Sequence, residues 1–273
     1  MPGTGVTLWG GLPEEVLIRF GVFAAVFVAI AVWEACAPRR CLAVGRGRRW
    51  PHNLGILVLD AALVRVIFPT AAVGIAAIAT AHGWGLLNLA GLSGWWSVIL
   101  SVVLLDLALY GQHVAFHGAG PLWRLHRMHH ADLDFDVTTG VRFHPLEILL
   151  SLAIKFAVIL VIGAPVLGVL IFEVLLNATS MFNHGNVRIP RGFELALRWF
   201  VVTPEMHRVH HSIVRAETDS NFGFNLPWWD RLFGTYRSHP EAGQVAMTIG
   251  IPQFRDSAEL RIDRLLTQPF RDK

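Results

Sequence analysis

Residues 113–130 read HVAFHGAGPLWRLHRMHH, and five of the chain's 13 histidines fall there: His113, His117, His126, His129 and His130. Residues 207–211, HRVHH, repeat the later spacing with His207, His210 and His211. Residues three or four apart share one face of an α-helix. His113 and His117 therefore face together. His126 stands one turn before both His129 and His130, and His207 stands one turn before His210 and His211. Eight imidazoles grouped this way can converge from separate helices, and no structural role needs that many.

The chain around them has 273 residues, 53% hydrophobic and only 16% charged. That is more apolar and less charged than a soluble domain. The excess sits in runs long enough to cross a bilayer, and the clustered histidines lie outside those runs. The formal charge of +3 comes from arginine, since Lys155 and Lys273 are the only lysines. No basic patch interleaved with aromatics and no nucleic-acid-binding motif accompanies it, so nucleic acid is not the partner. Cys36 and Cys41 form neither a disulfide framework nor a thiolate metal motif. No basic segment precedes the first apolar run, so that run is expected to stay in the mature protein.

The patterning predicts an all-α integral membrane protein with four to five transmembrane helices and a cytosolic, histidine-rich helical cap, all in one domain over 1–273. The expected spans are 14–36, 54–80, 95–112, 147–162 and 165–182. The last two form a hairpin broken at Gly163-Ala164-Pro165, and the cap comprises 113–146 and 183–240. Asp60 and Arg65 lie within the second span, which Pro69 is expected to kink. The loop 37–53 carries Arg39, Arg40, Arg46, Arg48 and Arg49, and the connector 81–94 carries no Lys or Arg. By the positive-inside rule the first faces the cytoplasm and the second the outer side. Both histidine clusters then lie on the cytoplasmic face. Residues 193–202, FELALRWFVV, predict an amphipathic helix on the membrane surface. The small residues of 71–79, AAVGIAAIA, are read as a close-packing surface. Asp106 shares one helix face with Tyr110, His113 and His117, either accepting from a histidine or Tyr110 or making an interhelical contact.

A neutral imidazole is a ligand for zinc, copper, iron or nickel. One zinc takes about four ligands, so eight or nine histidines imply two metals. A redox-capable, nitrogen-rich site beside a bilayer suits a pair of irons that activates dioxygen.

At this point the motifs carry a resemblance. The series His113-VAF-His117, His126-RM-His129-His130 and His207-RV-His210-His211, in this order after a span, resembles the membrane-bound fatty acid hydroxylase and sterol desaturase superfamily. Asn183-His184-Gly185-Asn186, Phe143-His144-Pro145-Leu146-Glu147 and ETDSNFGFNLPWWDRLFGTY (217–236) are similar to further pieces of it. The resemblance runs from about residue 95 to 236. It implies transmembrane helices under a cytosolic cap, and a di-iron centre that uses O2 and two electrons on an unactivated C–H bond of a fatty-acyl, sterol or related lipid. The eight clustered histidines and His184 would be the metal ligands. His144, Asp106 and Asn221 are additional or supporting candidates, with Asn221 and Asp230 read mainly as fixing the cap. His52, His82 and His239 are read as outside the site.

No flavin, haem or iron–sulfur motif is present, so electrons are expected from an external donor. A ferredoxin or cytochrome with its reductase would dock near Arg124, Arg127, Arg208 and Arg215. The chain is expected in a bacterial inner membrane. Hydroxylation is the expected outcome, with desaturation by the same centre as the alternative. Two other classes fit worse. A membrane electron carrier wants well-separated histidines on facing spans. A metal transporter wants ligands near the midplane, where Asp60, Asp106, Lys155 and Glu173 are scattered.

Overall fold

In hydrocarbon an unpaired backbone N–H or C=O costs several kcal/mol, so an apolar run must satisfy its own hydrogen bonds as a helix. The computed structural model describes residues 7–8, 12–68 and 71–272, and its long apolar runs obey that rule. In chain order they are α1 (Glu14–Cys36), α2 (Arg46–Ile67), α3 (Ala71–His82), the short α4 (Leu86–Leu89) and α5 (Gly94–Gly118). Then come α6 (Gly120–His130), α7 (Pro145–Ile162) and α8 (Val166–Asn183). Short helices follow: α9 (Arg191–Leu197), α10 (Pro204–His210), α11 (Arg215–Thr218), α12 (Trp228–Leu232), α13 (Gly243–Ala246) and α14 (Ile262–Thr267). A two-residue pairing of Thr7–Leu8 with Leu12–Pro13 precedes them.

Among the described residues, five helical stretches are long and apolar enough to cross a membrane: Leu17–Cys36, the described parts of Arg46–Leu89, Gly94–Gly118, Pro145–Ile162 and Val166–Asn183. The protein is an integral membrane protein built of helices. Valines and aromatics such as Val28, Val58, Val66, Trp95 and Trp96 point outward from the spans, as they should where lipid is the solvent.

The run expected as one span over 54–80 consists of two helices, and α2 begins already at Arg46, inside the stretch expected as a loop. Pro69 lies outside the described residues. Helices α5, α7 and α8 pack together with α3, and their core joins Leu105, Ile159, Val169 and Phe172 to Ala72 and Ala76. The small residues of α3 thus serve packing. At the α7–α8 turn Gly163 has φ 70, and a Cβ there would lie 2.4 Å from the carbonyl oxygen of Trp84. Only glycine fits both demands.

The cap is welded to the span ends by buried charge. Arg49 is fully buried and grips Asp132 with Nε and Nη2, both at 2.7 Å, and Asp136 with Nη1 at 2.5 Å. The Asp134 carboxylate accepts from the backbone N–H of Ala43 (2.7 Å) and Val44 (2.8 Å). Glu34, near the end of α1, accepts from the N–H of Val137 and Asn186, both at 2.8 Å. The acidic stretch after α6 is therefore buried rather than a solvated loop. Most of the basic residues of 37–53 make specific bonds: Arg39 pairs with Glu205, Arg46 with Glu34, and Arg40 donates to the carbonyl of Met247.

Residues 193–202 form only one short helix, α9, and then turns. Its polarity is inverted. Phe193, Leu195, Trp199 and Phe200 point outward, while Glu194 and Arg198 are buried and paired at 2.6 Å. Outward aromatics beside the spans suit a membrane surface.

Candidate metal centre

Among the described residues, nine histidines gather into two groups. His113, His117, His126, His130 and His210 form one, and His129, His184, His207 and His211 form the other. Within each group the ligand nitrogens lie within 4.8 Å of one another, and all nine side chains are buried. The division follows from helix geometry. His126 and His130, four apart on α6, face the first group, while His129, turned by about 100° from His130, faces the second. At the end of α10 the assignment reverses: His207 and His211 serve the second group and His210 the first. Helix α5 supplies His113 and His117 in its last turns, and His184 caps α8.

The backbone sets the tautomers. Carbonyl oxygens only accept, so each ring nitrogen facing one carries the proton. Nδ1 donates to the carbonyl of Phe222 from His113 (2.7 Å), of Arg142 from His129 (3.2 Å), of Ser180 from His184 (2.7 Å) and of Ser220 from His210 (2.7 Å). Carboxylates do the same for two more. His126 donates to Oε1 of Glu147 at 2.6 Å, and His117 to Oδ1 of Asp219 at 3.2 Å.

In these six rings Nε2 is left with a lone pair aimed inward. His113 Nε2 stands 3.1 Å from Nε2 of both His126 and His210, and His184 Nε2 stands 3.1 Å from those of His129, His207 and His211. Two lone pairs cannot hydrogen-bond each other. Two ligand nitrogens at right angles on metal bonds of about 2.1 Å would, however, lie about 3.0 Å apart.

Burial, followed by the neighbouring imidazoles, pushes the pKa of His129, His130, His207 and His211 well below the usual histidine value. His184 and His210 are lowered to about 3, chiefly by burial. Neutral rings are the form that binds metal. Nδ1 of His130, His207 and His211 finds no hydrogen-bond partner among the described residues. A structural core does not keep that many half-satisfied rings. The donor set fits two metal ions.

A scan of family models gives a match to "Fatty acid hydroxylase" over residues 98–235. The chain belongs to the fatty acid hydroxylase family. It is 32% identical over 152 residues to ornithine lipid hydroxylase OlsE of Rhizobium tropici, covering 56% of this chain and 45% of that protein. It is 28% identical over 165 residues to alkylglycerol monooxygenase of Xenopus tropicalis and 29% to that of Homo sapiens, each covering 59% of this chain and 34% of the relative. The matched part thus spans less than half the length of these relatives. No solved structure matches the chain.

The other candidates of this fatty acid hydroxylase chain take supporting places. His144 caps α7: its Nδ1 accepts from the N–H of Leu146 (3.2 Å) and its Nε2 donates to the carbonyl of Leu266 (3.1 Å). Neither nitrogen is left for a metal. Asp106 accepts from Asn225, Leu226 and Trp229 rather than from a histidine or Tyr110, tying α5 to the cap. Asn221 has φ 51, and its amide bonds the carbonyls of Met206 and Arg237. It sits between Ser220 and Phe222, whose carbonyls receive His210 and His113. Asp230 accepts from the N–H of Phe222 and Gly223. His52, His82 and His239 belong to neither group.

The sequence pattern gives no role to Glu147 or Asp219, although they lie within Phe143–Glu147 and 217–236. Their signal was position: Glu147 falls in the first turn of α7, three residues after a helix-capping histidine. The basic docking patch needs correction. Arg127 and Arg208 are buried, donating to the carbonyls of Gln268 and Gly185, so only Arg124 and Arg215 reach the surface.

A cavity of about 340 Å³ opens between α1, α2, α5, α7 and α8 and reaches His113 and His126. Its walls are mainly apolar, among them Phe23, Leu105, Phe116, Phe143, Leu152 and Phe172.

Proposed function

We propose that the protein hydroxylates an unactivated C–H bond of a membrane lipid with O2, at two irons held by the nine histidines. The observation that carries this is the meeting of the apolar cavity, at His113 and His126, with the first of two groups of buried imidazoles. His113, His117, His126, His130 and His210 would hold one iron, and His129, His184, His207 and His211 the other. Iron bound there supplies dioxygen activation: one oxygen atom enters the C–H bond and the other leaves as water, with two electrons and two protons.

The chain's own residues do the rest. Glu147 and Asp219 hold the rings of His126 and His117 in orientation. Phe116, Phe143 and Phe224 line the cavity beside the histidines, where an apolar chain fits. Placing the site at the ends of the spans lets a lipid reach it without leaving hydrocarbon. The relatives named as an ornithine lipid hydroxylase and alkylglycerol monooxygenases favour hydroxylation over desaturation and a lipid as substrate. Electrons would come from a ferredoxin or cytochrome with its reductase. The arginine-rich stretch 37–49 lies at the histidine end of the spans, which supports a site facing the cytoplasm of a bacterial inner membrane.

The test is metal analysis and Mössbauer spectroscopy on protein grown with labelled iron, followed by lipidomics of expressing cells. Two irons per chain, reduced by His129→Ala and by His210→Ala, and a lipid gaining one oxygen are expected. A bound haem, or activity that survives without iron, would overturn the proposal.

A further inference from the structure

The inward face of α2 carries Arg49, Asn53, Ile56 and Asp60. Three of these have evident partners. Arg49 holds Asp132 and Asp136, Asn53 donates to Thr138 at 3.0 Å, and Ile56 packs on Met128 and Leu265. Asp60 differs. It is 6% exposed, lines the cavity, and its Oδ1 has no hydrogen-bond partner among the described residues. It lies about 16 Å along the helix from Arg49, well inside the span. A carboxyl group there is costly and marks a functional position unless something meets it.

The other polar groups of the cavity are engaged. Lys155 Nζ and Arg19 Nη1 both hold Glu173, at 3.0 and 3.1 Å. Gln112 donates to Ser151 at 2.9 Å, and Asn177 donates to the carbonyl of Glu173 at 2.8 Å. A second buried acceptor, Oε2 of Glu147, also has no partner among the described residues, and Glu147 lines the same cavity. The donors are paired, while these two carboxyl oxygens have neither a hydrogen bond nor an ion pair among the described residues. The complement to such a wall is a donor.

We infer that the cavity receives its lipid by a hydrogen-bond-donating polar group, a hydroxyl or an ammonium, bound at Asp60. The inference rests on the lipid-hydroxylase reading for the class of ligand. It assigns Asp60 to specificity, since the residue would select polar-headed lipids over lipids without a donor.

The test is equilibrium binding to the full, iron-loaded chain in mild detergent, using three probes. These are 1-O-hexadecylglycerol, its dimethyl ether, and hexadecylammonium. Wild type is expected to prefer at least one donor-bearing probe over the ether by about tenfold. Preference for the glycerol identifies a hydroxyl site, and preference for the ammonium a cationic one. Asp60→Leu should abolish the preference. Asp60→Asn, close to Asp in volume and keeping an acceptor oxygen, should retain it for the glycerol and lose it for the ammonium. Equal affinity for all probes in wild type, or a parallel loss across all three in either variant, would overturn the inference. Absence of oxygenated product from every probe in a parallel incubation of wild type with O2 and a reductant, with the binding preference intact, would instead sink the hydroxylase reading.

Discussion

His126 and Glu147 form a buried imidazole–carboxylate pair, with Nδ1 donating to Oε1 at 2.6 Å. Helix α6 brings the ring and the first turn of α7 brings the carboxylate. The pair fixes which nitrogen of His126 keeps a lone pair, and it ties the five-histidine group to the wall of the cavity. Removing the partner of a metal-binding histidine commonly lowers metal affinity about 10- to 100-fold. Glu147→Ala should do so at the five-histidine group. Glu147→Gln, which keeps an acceptor, should do less. Iron titration with Mössbauer detection measures both, and equal retention of iron in the two variants would refute the assignment.

Gly140 is a second lever on the site. A Cβ there would lie 2.5 Å from the carbonyl oxygen of Ser180, the acceptor for Nδ1 of His184, and 3.1 Å from that Nδ1 itself. Gly140→Ala should displace His184, lower iron in the four-histidine group, and cost about 1–3 kcal/mol of stability. Iron content and thermal unfolding in detergent are the readouts. A variant with normal iron and an unchanged transition would show that the contact is easily relaxed.

Arg49 holds two buried carboxylates between α2 and the cap. Arg49→Met leaves Asp132 and Asp136 without their main counter-charge and should destabilise the protein by about 3–5 kcal/mol. Burial alone would raise the Asp132 pKa, but Arg49 and Arg142 outweigh it and hold the carboxyl well below its usual range. Its contribution is therefore present above the unfolded carboxyl pKa of about 3.9 and is lost as pH falls through that range and below. Thermal unfolding of Arg49→Met against pH should lack this acid-side loss. The same acid-side slope in wild type and variant would count against the pairing.

Metal-free protein should be acid-sensitive in a higher window. His184 and His210 titrate at about 3 when folded and near 6.5 when unfolded. Between those values the unfolded chain binds more protons, so stability falls as pH drops from 6.5 towards 3. Unfolding of chelator-treated protein between pH 7 and 4 checks this. Iron should protect in that range, because it competes with the proton for the same nitrogens. A flat pH profile of the metal-free form would mean that the rings are hydrated rather than buried.

Much of the architecture was legible from residue order. Runs such as 14–36 and 147–182 admit only helices in lipid, because no water is available for their backbone groups. The spacing of three and four placed His113 with His117 and predicted that the clusters would meet. The division of the site into five and four histidines was not legible. His129 and His130 are neighbours in the chain, yet about 100° of helix rotation sends them to different groups, and which group each joins depends on where α8 and α10 arrive. The acceptors that set the tautomers are mostly backbone carbonyls, of Phe222, Arg142, Ser180 and Ser220, and any residue type supplies one. The partners of Arg49 lie more than 80 residues away, so a basic stretch read as a cytoplasm-facing loop becomes a buried joint only when the chain folds. Periodicity is a local property carried by the sequence. The direction of a lone pair, and the group that meets it, belong to the tertiary structure.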